Sequence, residues 1–227
     1  MKHQCLSPVA IALGLLAGLS AIPAIAQQNG SAMTTATLAG SLAFSIRDHM
    51  PDGYREVARR AVAVDGERAE LIRFERLDGR NAGLGGEHFS MVLDGRGRLK
   101  GFARLDADIV GGALPSREEA QAIAMDFLKR QAPDLLAAFR LHWVAAHDEP
   151  LRVTRNGRAE MLTLTGMKVK MRNTVDGRWF WVIVGADRKV MVFERDIVWI
   201  TFPGRRGTEK WLHDAWLVET GHGLRSS

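Results

Sequence analysis

Short apolar segments with a two-residue period, separated by glycine-containing turns, fill most of the chain from residue 57 onward. This alternation is typical of β-strands, because successive side chains point to opposite faces of a sheet. Asp65-Gly66, Asn156-Gly157 and Asp176-Gly177 suit tight hairpins, since these residues tolerate positive φ angles. The pattern therefore predicts two antiparallel meanders, over residues 57–105 and 139–199.

Two amphipathic helices precede these meanders. Apolar residues recur at three- and four-residue spacing from Leu38 to Ile46, which describes one face of a helix. Ser116 is followed three residues later by Glu119, as in a capping box, and an apolar stripe continues to Leu128. We therefore predict helices over 35–46 and 116–130, with a short terminal helix over 208–218.

Each half of the chain thus consists of one helix followed by a meander. The segment Leu93–Arg104 is similar to Val184–Arg195, which indicates a degenerate tandem repeat. A sheet with one apolar face needs a cover, and a helix provides it. The predicted fold class is α+β with two helix-plus-antiparallel-meander modules, over 27–113 and 114–204. Residues 205–227 are predicted to form a C-terminal tail with a short helix.

The first 26 residues have the features of a secretory signal peptide. Lys2 and His3 form a basic start, an apolar run follows, and Ala24-Ile25-Ala26 is a small-x-small cleavage signature. We predict cleavage after Ala26 and a periplasmic or secreted protein with no later transmembrane segment. The only cysteine, Cys5, is lost with the signal, so core packing rather than disulfides must hold the mature chain.

Three segments of the second half carry a family resemblance: Leu114–Ala120, the apolar stripe Ile123–Leu128, and Trp179–Val184 with Val190–Phe193. Together they resemble the PepSY domain family over residues 114–200. The resemblance implies a helix laid on an antiparallel sheet, and a binding or inhibitory module rather than a catalyst. Because no HExxH motif of an attached metallopeptidase occurs in the chain, the resemblance implies that an inhibited partner is a separate protein.

A row of cations is the most distinctive polar pattern in the sequence. Lys168, Lys170 and Arg172 alternate with apolar residues and therefore share one strand face, and Arg178 follows in the next turn. Neighbouring like charges cost stability unless carboxylates or a partner offset them. We expect these four residues to bind an anionic partner, namely an envelope protein or peptide, a lipid headgroup or an anionic polymer. The alternative is a solvated, partly paired face.

Trp179 and Trp181 share one face of the following strand. They predict an aromatic groove for a peptide or lipid, while the alternative is an ordinary core contact. The net charge of +5 is compatible with nucleic acid, but the export signal argues against a nucleic-acid partner.

The sequence contains no convergent set of catalytic, cofactor-binding or metal-ligating residues, and its histidines share no metal-ligand spacing. We therefore expect a non-catalytic binding or inhibitory module that acts through a strand edge or groove. One alternative is an envelope enzyme assembled from dispersed residues such as His88, Asp106 and His142. Another is a carrier of a lipid or hydrophobic ligand, with an apolar cavity over Trp179 and Trp181.

Overall fold

The computed structural model describes residues 49–223, and about half of these residues belong to one eight-stranded antiparallel sheet. The predicted signal peptide over 1–26 and the predicted helix over 35–46 lie outside the described residues. In space the strand order is β1-β2-β3-β4-β8-β7-β6-β5. In chain order the strands are β1 (Tyr54–Val64), β2 (Glu67–Arg76), β3 (His88–Asp94), β4 (Leu99–Leu105), β5 (Phe139–Arg155), β6 (Arg158–Asn173), β7 (Trp179–Val184) and β8 (Val190–Ile197).

Helices and a small hairpin complete the described part of the chain. Within residues 49–223, neither α-helix has the length and apolar character that crossing a bilayer requires. The remaining elements are α1 (Arg117–Gln131), α2 (Asp214–Glu219), the paired strands β9 (Trp199–Ile200) and β10 (Arg205–Arg206), and 3₁₀ turns at Ala107–Ile109 and Pro133–Leu136.

Helix α1 confirms the predicted helix over 116–130. The Ser116 hydroxyl accepts a hydrogen bond from the Glu119 backbone N–H at 3.1 Å, which caps the first turn. The Glu119 carboxylate does not complete the capping box, because it accepts a hydrogen bond from Arg188 Nε at 3.1 Å. The buried stripe of α1, with Phe127 and Leu128 fully covered, faces the sheet.

The prediction of two helix-plus-meander modules is wrong, because the two halves share one sheet and both contribute to the core beneath α1. Strand β4 pairs with β8, and the residues that align in the two similar hairpins, Phe102 and Phe193, are direct register partners. The Phe127 ring of α1 lies 5.8 Å from the Phe102 ring and 5.0 Å from the Phe193 ring, between centroids. One helix therefore covers strands from both halves.

The opposite face of the sheet has its own apolar layer. Its cover is the C-terminal segment, residues 207–222, in which Trp211, Leu212 and Leu217 are buried. The helix predicted over 208–218 begins only at Asp214, and the residues before it are extended or in turns. The prediction that residues 205–227 form a tail is therefore incomplete, because side chains of this region fill the core on the second face of the sheet.

Strands β5 and β6 form a long hairpin, with 17 and 16 residues respectively. Strand β6 continues without a break through Gly166, which pairs with His147. A Cβ on Gly166 would lie 2.6 Å from Ile183 Cγ2, so glycine permits a close strand contact here instead of ending the strand. The far end of the hairpin returns to the first half of the chain, where Arg152 N–H donates to the Gly85 carbonyl at 2.7 Å.

Because β4 and β8 pack closely at Gly101, we expect a methyl group at this position to destabilise the protein. A Cβ there would lie 2.5 Å from the Phe193 carbonyl oxygen and 2.9 Å from Leu212 Cδ1. We expect Gly101→Ala to lower the free energy of unfolding by about 1–3 kcal/mol in urea titrations. Gly95→Ala is the control, since its nearest neighbour would be 3.5 Å away. Equal stability of the two variants would contradict the close junction.

Candidate ligand-binding groove

An ion-pair cluster fixes the C-terminal segment to the first half of the sheet. Arg73 Nη1 and Nη2 donate to the two carboxylate oxygens of Asp214 at 2.8 and 3.1 Å, and the Gly85 backbone N–H donates to the same carboxylate at 2.6 Å. Arg73 Nε donates to Glu75 at 2.8 Å. The Arg73 side chain is only 1% exposed, so its charge depends on these partners.

A second buried cluster fixes the same segment to the centre of the sheet. The Glu194 carboxylate on β8 lies 2.7 Å from Arg206 Nη1 and 3.0 Å from His213 Nε2. Burial alone would raise the pKa of Glu194, but Arg206 and His213 hold that pKa well below its usual range. Burial opposes the charge of His213, while Glu194 and then Glu149 raise the pKa of its imidazole above the ordinary value.

The predicted cation row lies beside the predicted tryptophans on the sheet face that these clusters border. Lys168 Nζ is 4.1 Å from the centroid of Trp181, and Lys170 Nζ is 4.4 Å from that of Trp179. Arg172 Cζ is 5.3 Å from the Trp179 ring. At these distances each cation is attracted to the face of an indole. The alternate residues of β6, Val169 and Met171, are fully buried on the helix side, as the two-residue period predicts.

Two further tryptophans surround Lys170. Its ammonium lies 5.5 Å from the Trp143 ring and 5.4 Å from the Trp199 ring. Arg178 lies apart from this surface, in the turn before β7, with its Nε 4.0 Å from Asp176. Of the four cations predicted to bind an anion, the structure therefore places three against the tryptophans.

Lys168 and Lys170 have no close carboxylate partner. Among residues 49–223, no carboxylate oxygen lies within 4.0 Å of either ammonium group. Burial lowers the pKa of Lys168 to about 8, although Glu194 and Glu149 partly oppose that shift, and burial also lowers the pKa of Lys170. The site thus holds positive charge that the described residues do not fully compensate.

An open groove of about 570 Å³ lies above this surface, and we name it the cationic groove. Lys168 and Trp181 form part of its lining, together with the basic side chains of Arg205, Arg206 and Lys210. The rest of the lining comes from β5, from the β9–β10 hairpin and from α2: His147, Glu149, Trp199, Gly204, His213, Ala215, Trp216 and Glu219.

Glu149, Glu194 and His213 belong to the surroundings of Lys168 but were not predicted as site residues from the sequence. They lie on three elements that come together only in the folded chain. One local signal was present, because Glu194 is a carboxylate that directly follows the apolar run Val190–Phe193 in β8. A charged residue at such a position requires a buried partner.

The three residues of the dispersed-enzyme alternative do not converge. His88 is buried, and its Nδ1 lies 2.9 Å from the Gly86 carbonyl, while Asp106 accepts a hydrogen bond from the Tyr54 hydroxyl at 2.9 Å. His142 is exposed near the start of β5, with its ring 4.9 Å from Trp179. The loop before His88 contacts β5 at Arg152, which is ten residues beyond His142. Ten residues of extended strand span roughly 33 Å, so His142 is far from His88.

Trp179 and Trp181 are covered by charged groups. Lys168 and Arg206 lie over Trp181, and Lys170 and Arg172 lie over Trp179. The space above these rings is therefore lined by cations and is not the apolar cavity that the carrier alternative expects. Within residues 49–223, no three His, Cys, Asp or Glu side chains are grouped so that they could hold a metal ion.

No family model, no curated protein and no solved structure matches the chain. The PepSY resemblance over residues 114–200 therefore stays a prediction from the sequence.

Because Arg73 and Asp214 form a buried ion pair, we expect removal of the Asp214 carboxylate to cause a large loss of stability. Asp214→Ala leaves a buried guanidinium short of its main partner, so we expect the free energy of unfolding to fall by about 3–5 kcal/mol. Asp126→Ala is the matched control, because Asp126 pairs with Arg130 on the exposed face of α1 and its loss should cost less than about 1 kcal/mol. Similar losses in both variants, by urea unfolding, would refute a structural role for the buried pair.

His213 predicts a pH-dependent contribution to stability. Its folded-state pKa lies above the ordinary 6.5, so the contribution is complete below that pH and disappears as the pH rises through the folded value. We expect wild type to exceed His213→Gln in stability at pH 5.5, with a smaller difference at pH 9. Urea unfolding of both proteins across this range measures the difference. A gap that is constant or widens with pH would show that His213 is not held as an imidazolium.

Proposed function

We propose that this chain is an exported, non-catalytic binding protein that holds an anionic ligand in the cationic groove. The observation that carries the proposal is the state of Lys168, a largely buried ammonium against Trp181 without a carboxylate within 4.0 Å. A ligand anion would supply the missing negative charge. Export rests on the predicted signal peptide over 1–26.

The surroundings of Lys168 support an anion site in physical terms. A charge pair is stronger where water is partly excluded, so a ligand carboxylate would gain more at Lys168 than at an exposed lysine. The indole of Trp181 holds the ammonium in place before a ligand arrives, which reduces the entropy cost of binding. Arg205 and Lys210 at the groove wall add attraction during approach.

The groove is a better location for a ligand than the outer edge of β5. The far part of that edge is occupied, since Arg152 N–H donates to Gly85 and Thr154 N–H donates to Asn81. Pro150 offers no N–H at all, which is typical of a protected edge strand. The part of the β5 edge from Pro150 to Thr154 is therefore closed to a partner strand.

Proton uptake tests the proposal. An anion beside Lys168 should raise its pKa from about 8, so binding at pH 8 should take up protons. Calorimetric titrations with hexaglutamate and with decanoate, each in two buffers of different ionisation enthalpy, measure this uptake. We expect Lys168→Met to abolish the uptake and to weaken binding at least tenfold.

Lys129→Met is the matched control, because it removes the same charge from an exposed position on α1. It should bind both probes as wild type does. If neither probe binds, or if the two variants bind alike, the proposal is wrong.

A further inference from the structure

A second cleft, of about 390 Å³, lies on the other side of α2, and we name it the apolar cleft. Its size is within the range of small-molecule sites. Two of its side chains, Met161 and Val218, are about two-thirds exposed. Its apolar lining consists of Leu84, Leu105, Pro150, Met161, Leu212 and Val218.

The apolar cleft and the cationic groove adjoin. Glu149, His213 and Ala215 line both of them, at the first turn of α2. The Glu149 carboxylate lies between two histidine rings there, with its oxygens 3.3 Å from His147 Nε2 and 3.9 Å from His213 Nδ1. Lys168 lines one of these neighbouring spaces, and Leu105 and Val218 line the other.

We infer that the ligand is a single-chain anionic amphiphile, such as a fatty acid or a similar lipid-derived carboxylate. Its charged head would lie at Lys168, and its hydrocarbon tail would lie in the apolar cleft. This inference rests on the proposed function and names its ligand class.

An amphiphile fits the two ends better than a peptide does. A tail gains free energy from contact with Leu105, Leu212 and Val218, because it leaves water without losing hydrogen bonds. A peptide in the same cleft would bring backbone N–H and C=O groups to a lining with few polar partners, which is unfavourable. The cationic end then requires the head to be anionic.

The chain-length dependence of binding tests this inference. Each buried CH₂ group is worth about a fourfold change in affinity. We therefore expect decanoate to bind at least tenfold more tightly than hexanoate to the full-length wild-type protein, in calorimetric titrations at pH 8 and constant ionic strength.

Val218→Glu locates the tail. Val218 lines the apolar cleft but not the cationic groove. Its side chain is 64% exposed, so the fold should tolerate the substitution. We expect it to weaken decanoate binding at least fivefold and to leave hexaglutamate binding unchanged. Val175→Glu, the same change at an 82% exposed turn residue outside the cleft, should alter neither.

The outcomes separate this inference from the proposed function. Lys168-dependent binding that is equal for hexanoate and decanoate, or insensitive to Val218→Glu, would overturn the amphiphile and leave the anion site standing. Loss of Lys168-dependent binding for every probe would overturn both.

Discussion

The buried ion pair between Arg73 and Asp214 is the contact on which the second face of the sheet depends. It connects a central part of β2 to the first residue of α2 across 141 positions of sequence. Trp211, Leu212 and Leu217 can cover the apolar layer of that face only while the segment is held there. Neither charge would be stable alone at this depth, so the pair commits the C-terminal segment to a single position.

The same attachment creates the binding surface. Arg206 and His213 reach back to Glu194 and bring the C-terminal segment and the β9–β10 hairpin over the open half of β6 and β7. Arg206 and His213 pair with Glu194, while Lys168 lies against the indole of Trp181 with a lowered pKa. The buried charge of Glu194 is therefore matched by Arg206 and His213. The charge of Lys168 has no such close partner among the described residues. That separation underlies the proposal of an anionic ligand.

Local patterns were sufficient for the individual elements. Ser116 and the stripe to Leu128 predict α1, and Asp65 and Asn156 take the positive φ angles, 50° and 52°, that their hairpins require. The joining of the halves was not predictable in the same way. Phe102 and Phe193 alternate correctly whether they end two sheets or pair at the centre of one. The similarity between their hairpins was interpreted as a sign of two separate modules. In the structure, the two similar strands, β4 and β8, are neighbours in one sheet.

The cations and tryptophans of the site could be predicted from the sequence because they alternate on adjacent strands. The roles of Glu194 and His213 could be identified only from the tertiary structure.

Hydrogen exchange of the backbone amides, with and without saturating decanoate, most directly tests the claim that the C-terminal segment and Lys168 together form the ligand site. The account predicts slower exchange in residues 199–219 and around Lys168 on β6, with β1 and β2 unchanged. Slower exchange confined to β1 and β2, or no change near α2 and the β9–β10 hairpin, would contradict it.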